Sequence, residues 1–188
     1  MTIAKKALLL VTSYWLLVTI TGCGYTSRSM ISQEFRTIYI KPFVNTIDIT
    51  KETDTGSKYK IYRPMLETDV TKAVINKFIF DGNLKVSKSE NADLTLKGEL
   101  VEIRRDPLRY TDNDEVEEYR LNIMVNLSMW DNRKDQLVWE EKGFTGDYTY
   151  FTNYSSMQNV VKKTDDQAIP DAITDLARRI VERTVEQW

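Results

Sequence analysis

The chain is predicted to adopt an α+β fold, a two-layer sandwich in which two helices pack on one face of a mostly antiparallel, four- to five-stranded sheet. Three observations carry that prediction. Every odd position from Tyr119 to Met129 is apolar, through Leu121, Ile123, Val125 and Leu127, while Arg120, Asn122, Asn126 and Ser128 take even ones, so this strand has one dry face. A polar turn, Asp131-Asn132-Arg133-Lys134-Asp135, follows, and Leu137 to Tyr150 returns as its hairpin partner. Two further segments repeat apolar residues at intervals of three and four, the spacing of a helix with one apolar face. Two such helices and a sheet with one dry face bury all three apolar surfaces as a sandwich.

Taken in order, Phe35 to Phe43 alternates Ile38 and Ile40 with Thr37, Tyr39 and Lys41, the pattern of a half-buried strand, and Pro42 ends it. Asn45 to Lys60 is rich in Thr, Asp and Lys and has too little apolar surface to pack, so it reads as a mobile loop. A helix follows with Pro64 in its first turn, Leu66, Val70, Ala73, Val74 and Phe78 on its apolar face, and Asp81-Gly82 as its stop. Leu84 to Ser87 makes a short strand. Ala92, Leu94, Leu96, Gly98 and Leu100 then alternate with polar partners in a long strand that Pro107 is expected to break or bend. Phe151 to Thr164 is loop-like. The last helix carries Ile169, Ala172, Ile173, Leu176, Ala177, Ile180 and Val181 on one face, with Asp165 and Asp166 near its start and Arg178, Arg179 and Arg183 later, as the helix dipole favours.

Ahead of this domain, Lys5 and Lys6 precede an apolar run from Ala7 to Ile20, and Thr21-Gly22 lead into Cys23. That is the layout of a secretory signal, and the run is shorter than the ~18 to 20 apolar residues that span a bilayer as a helix. Ile20-Thr21-Gly22-Cys23 resembles a bacterial lipobox, whose cysteine becomes the lipidated first residue after cleavage. The domain reading is therefore a signal peptide over 1–22, a short lipidated leader over 23–34, and one α+β domain over 35–188. Two or more acyl chains hold a protein on a membrane durably. Gly24 stands where an aspartate is associated with inner-membrane retention, which points to the outer membrane.

Composition narrows the chemistry. Lys plus Arg is 26 and Asp plus Glu 28, a net charge of -2, so no global positive field gathers nucleic acid. Histidine is absent, which excludes Ser-His and Cys-His nucleophile pairs and His-coordinated zinc, and the single cysteine excludes an intramolecular disulfide. No G-x-G-x-x-G, Walker loop or G-x-S-x-G occurs, and the seven glycines are dispersed, so no enzyme, cofactor or metal site is expected. Asp112, Asp114, Glu115, Glu117 and Glu118 could offer oxygens to calcium, but without the glycine and terminal glutamate of an EF-hand they read as a solvated connecting loop. Arg104, Arg105 and Arg109, Arg133 and Lys134, and Lys162 and Lys163 fall at strand ends and turns. Such residues commonly face water; converging at one end of the sandwich, some would chelate phosphate on an anionic lipid headgroup.

Cys23-Gly24-Tyr25 after the lipobox, Ala92-Asp93-Leu94 with Leu96-Lys97-Gly98, the segment Glu118-Tyr119-Arg120-Leu121-Asn122-Ile123-Met124-Val125-Asn126, and the closing amphipathic helix together resemble the LPS-assembly lipoprotein LptE family. The resemblance implies an outer-membrane lipoprotein on the periplasmic side of a Gram-negative cell that plugs the β-barrel LptD and assists lipopolysaccharide transport to the outer leaflet, without catalysis. It also implies lipopolysaccharide contact through basic residues ahead of the Glu-Tyr strand and ahead of the last helix, here Arg109 with Lys162 or Lys163, and Arg105 as a further candidate. A longer acidic loop over 112–118 departs from the family pattern and would repel phosphate near Arg109 unless divalent cations bridge them. The alternative is a lipoprotein resembling LpoB, an activator of a periplasmic cell-wall synthase. Such activators carry a long tether, whereas Gly24 to Glu34 at ~3.5 Å per residue reaches under about 40 Å.

Overall fold

The computed structural model describes residues 34–47, 61 and 63–186. The signal, the lipobox with Cys23 and most of the 45–60 loop lie outside the described residues.

The domain is an α+β sandwich built on an open six-stranded sheet with two helices against one face. In chain order the elements are β1 (Thr37–Ile40), β2 (Val44–Asn45), α1 (Leu66–Asp81), β3 (Lys85–Ser87), β4 (Leu94–Tyr110), β5 (Val116–Asp131), β6 (Gln136–Phe151) and α2 (Asp165–Glu186). The strand order is β3-β1-β4-β5-β6, with β2 beside β4.

The three long strands pair antiparallel as expected, but β1 pairs parallel with both β3 and β4, and β2 parallel with β4, so the sheet is mixed. The reason is topological. α1 lies between β1 and β3, and a helical crossover returns the chain in the direction it came from.

The core follows the alternation. Leu121, Ile123, Val125, Leu127 and Met129 of β5 are buried beside Leu94, Leu96 and Leu100 of β4, and the helices cover them with Val70, Val74, Phe78, Ile169, Ala172, Leu176 and Ile180. Two glycines make room for this closeness. A Cβ on Gly98 would lie 2.1 Å from the Phe43 ring, and one on Gly146 would lie 2.5 Å from the Leu176 Cα, so α2 sits directly on β6 there.

Three expectations need correction. Pro107 does not break its strand, since β4 runs on to Tyr110 with Pro107 opposite Tyr119, although the register shifts directly after it, between Pro107 and Arg109. Pro64 stands outside α1, whose start is set by Met65 in the left-handed region at φ 62°. The acidic cluster is not all solvated, because β5 begins at Val116 and Glu117 is only 4% exposed. Gly82 does end α1 as expected, with φ 76° and its N–H donated to the Phe78 carbonyl.

A further irregularity, between Leu100 and Glu102, has a larger effect. It reverses the phase of β4, so that Leu94, Leu96 and Leu100 point to the helices before it and Ile103 after it. Arg105 shares the Ile103 face. Arg104 takes the opposite one, where it bonds Asp106, which also accepts from Asn122.

Candidate functional site

The C-terminal end of β4, the start of β5, the end of β6, the 152–164 loop and the N-terminus of α2 meet at one end of the sandwich. An open cleft of about 640 Å³ lies there. Arg105 and Lys163 give its lining two cations, and Asp114, Glu115, Asp165 and Asp166 give it four carboxylates.

Both cations are already engaged. The Arg105 guanidinium, delivered to the helix side by the β4 irregularity, bonds the Asp165 carboxylate at 2.5 Å and lies 5.0 Å above the Tyr119 ring. The Tyr150 hydroxyl donates to the other Asp165 oxygen. Burial first, and then Asp165, push the Tyr150 phenol above its ordinary range. Lys163 donates to Asp171 and, at 3.0 Å, to the Tyr148 hydroxyl, and these partners hold its ammonium above the ordinary lysine range. Its backbone N–H is donated to the Phe151 carbonyl at 2.8 Å, which fixes the loop against the end of β6.

Arg109 and Lys162 are placed differently. Neither lines the cleft. Arg109 is 3.5 Å from Glu118 and touches the Met157 sulfur, and Lys162 reaches the Asn153 carbonyl at 3.5 Å. The structure thus brings Arg105 and Lys163 into the cleft and leaves Arg109 at the end of β4 and Lys162 on the 152–164 loop outside it, where Leu108, Tyr110, Tyr154, Met157 and Val161 are exposed.

Glu117 supports this end from below. Its Oε1 accepts from the Ser156 N–H and hydroxyl, each at 2.7 Å, and from the Ser155 hydroxyl at 3.3 Å. Those donors, Ser156 foremost, hold the carboxyl below its ordinary value. Nothing in the local sequence marks the Glu117–Ser156 contact, although extending the odd-position pattern of β5 backward puts Glu117 on the buried face. Asp165 is legible as a helix-start acid, but its partners Arg105 and Tyr150 are remote in sequence. A smaller hollow of about 400 Å³ beside Glu117 is lined by Asp112, Glu115 and Tyr154. Among the described residues no group of acids, cysteines or histidines is arranged to hold a metal ion, and no helix is long and apolar enough to cross a membrane.

No curated protein matches the chain. Among solved structures, a hypothetical protein of Chlamydia trachomatis shares 12% identity at a TM-score of 0.50, covering 80% of this chain and 95% of that one. A minor lipoprotein from Acinetobacter baumannii shares 15% at 0.46, over 79% and 90% of the two chains. Rare lipoprotein B from Shewanella oneidensis shares 15% at 0.42, over 78% and 92%. The family model described as LptE, Lipopolysaccharide-assembly, matches residues 35–184, from two residues before β1 nearly to the end of α2. The chain belongs to the lipopolysaccharide-assembly LptE family.

Proposed function

We propose that the protein is an outer-membrane lipoprotein, anchored through acyl chains on Cys23, that plugs and stabilises an LptD-like β-barrel and assists lipopolysaccharide transport to the outer leaflet. The observation that carries this reading is the family match across the whole folded domain. The surface supports it. The sheet face away from the helices presents an Arg104–Asp106–Asn122 network and an Arg104–Glu102 pair at 3.5 Å, polar groups suited to a wet barrel lumen.

Lipopolysaccharide headgroup contact falls to Arg109, Lys162, Lys163 and Arg105, in two tiers. A phosphate reaching Arg105 or Lys163 must displace Asp165 or Asp171 from a close pair, whereas one reaching Arg109 or Lys162 meets a looser contact. Changing Arg109 and Lys162 to Glu is therefore expected to weaken lipopolysaccharide binding by at least ~10-fold, on the scale of one or two charge-assisted hydrogen bonds. Binding by the purified lipidated protein in detergent measures this, and unchanged affinity would remove Arg109 and Lys162 from the headgroup role.

The partner is tested by affinity purification of the tagged, lipidated protein from detergent-solubilised outer membranes. A stoichiometric large β-barrel is the expected companion. Recovery of a penicillin-binding synthase in its place would overturn the plug reading.

A further inference from the structure

α1 ends on three consecutive apolar residues, Phe78-Ile79-Phe80, and the core takes only the first. Phe78 is fully buried, while Ile79 is 63% and Phe80 85% exposed. Exposed neighbours of this size are poorly suited to water. Lys77 lies along them, with its ammonium 5.4 Å from the centre of the Phe80 ring, the arrangement of a lysine that covers apolar surface with its stem and keeps its charge at the edge.

The corner's position matters more than its composition. Gly82 turns the chain out of α1 into β3, whose Lys85 pairs with Thr37 and donates its N–H to the Arg36 carbonyl at 2.9 Å. The described chain begins at Glu34, two residues before Arg36. The exposed Ile79-Phe80 pair therefore stands at the end of the sandwich where the leader enters, flanked on α1 by Lys77, with Lys85 at the start of β3 and Arg36 just ahead of β1 at the same end. The Asp81 carboxylate is turned to the Asn83 amide at 2.8 Å. The cleft is at the far end: β4 runs from Leu94 to Tyr110 between the two, about 50 Å at ~3.3 Å per residue.

We propose that this corner of α1 is a membrane-contact surface, with Ile79 and Phe80 seated at the headgroup boundary of a phospholipid leaflet and Lys77, Lys85 and Arg36 facing its phosphates. The proposal rests on the reading that Cys23 carries the lipid anchor. A leader of Gly24 to Glu34 reaches under about 40 Å when extended, so it keeps this end near the anchored leaflet and allows it to touch. An aromatic and aliphatic pair with basic residues at the same end of the domain is the composition that binds an interface containing anionic lipid.

The test uses the full lipidated chain in vesicles of phosphatidylethanolamine and phosphatidylglycerol carrying a nitroxide at headgroup depth. Lipidation consumes the chain's only cysteine, so F80C and, at the far end, V161C each provide a single site for bimane. Both positions are exposed, so the fold is not at risk. The expected result is lipid quenching at position 80 at least ~3-fold stronger than at position 161, weakened when Lys77 and Lys85 are changed to Glu. Equal quenching at the two sites, in protein that floats with the vesicles, overturns the contact and leaves the anchor standing. Failure to float overturns the anchor and the contact with it. A disulfide-linked F80C dimer without lipid quenching would assign the surface to a second copy and overturn the lipid.

Discussion

The leader end and the cleft end of the sandwich are held together by different means. At the leader end, side chains cap the backbone groups of neighbouring strands. Asp93 Oδ2 accepts the N–H groups of Arg36 and Thr37 and the Thr37 hydroxyl, each at 2.9 Å, and Asn132 donates its amide to the Ala92 carbonyl and the Thr95 hydroxyl. Arg133 lies 4.6 Å above the Phe35 ring and bonds the Glu34 carbonyl, pinning the entering chain to the β5–β6 turn. At the cleft end, side chains on separate elements are joined by ion pairs and charge-assisted bonds: Arg105 with Asp165, Lys163 with Asp171, Glu117 with Ser156. The first arrangement satisfies backbone donors at the strand starts with a single carboxylate oxygen. The second holds cations close to their partners, where an anionic ligand can compete for them. The difference teaches that the leader end is built mainly from side chains capping backbone groups, with Arg133 pairing Glu34, Asp93 and Asp131 beside them, and the cleft end from ion pairs between separate elements.

The edge of β6 joins the two. Its outer backbone groups would otherwise be a template for another strand. α2 covers them instead, with Arg179 donating to the Thr145 carbonyl at 2.7 Å and Asp175 accepting the Asp147 N–H at 3.1 Å. Burial raises the Asp175 carboxyl, and the Arg178 bond with the Asp147 N–H outweighs it, leaving the group below its ordinary range.

The largest effect is expected where both ends share a support. Gly146→Ala places a methyl carbon within 2.5 Å of the α2 backbone and should destabilise by about 3 kcal/mol, read as a fall in the urea midpoint without change in slope. Next, Asp165→Ala leaves the Arg105 guanidinium and the buried Tyr150 hydroxyl without their acceptor, at about 2 kcal/mol. Hydrogen exchange should speed at the 152–164 loop and the first turn of α2 and not at β1. Asp93→Ala should show the reverse pattern, faster exchange at Arg36 and Thr37 for about 1 to 2 kcal/mol. If either variant loosened both ends alike, the two ends would be one unit and the comparison would fail.

Acid sharpens it further. The Arg36 N–H above all, with Thr37 and Arg133, holds the Asp93 carboxyl below its ordinary value, and Ser156 does the same for Glu117. A carboxyl lowered on folding contributes stability that is present above its unfolded value of about 4 and is lost as pH falls through the folded one. Both ends should therefore weaken below about pH 4, and Glu117→Gln should flatten the acid limb of the stability profile at the cleft end only. The smallest effect belongs to an exposed pair. Arg178→Ala, which breaks contacts to Asp175 and Glu182 on the surface of α2, should cost under about 1 kcal/mol and shrink with salt.

Much of this molecule was legible in its residues. The odd-position pattern of β5, the turn at 131–135, the two apolar helix faces and the Gly82 stop each state their local structure, because side-chain period and backbone preference act over a few residues. The family resemblance rested on the lipobox with Gly24 and Tyr25, on the 92–98 and 118–126 strand segments, on the closing helix and on the order of these elements. Three things only the tertiary structure decided. The parallel placement of β1, β2 and β3 depends on which way the α1 crossover returns. The side of the sheet that Arg105 reaches depends on an irregularity after Leu100 that reverses the phase of β4, and simple alternation would have sent Arg104 to the helices instead. The pairing of each candidate cation depends on partners remote in sequence: Asp165 is 60 residues from Arg105, so periodicity could place each on its element but not face to face. Local spacing determines which face a residue takes, and long-range packing determines what that face meets.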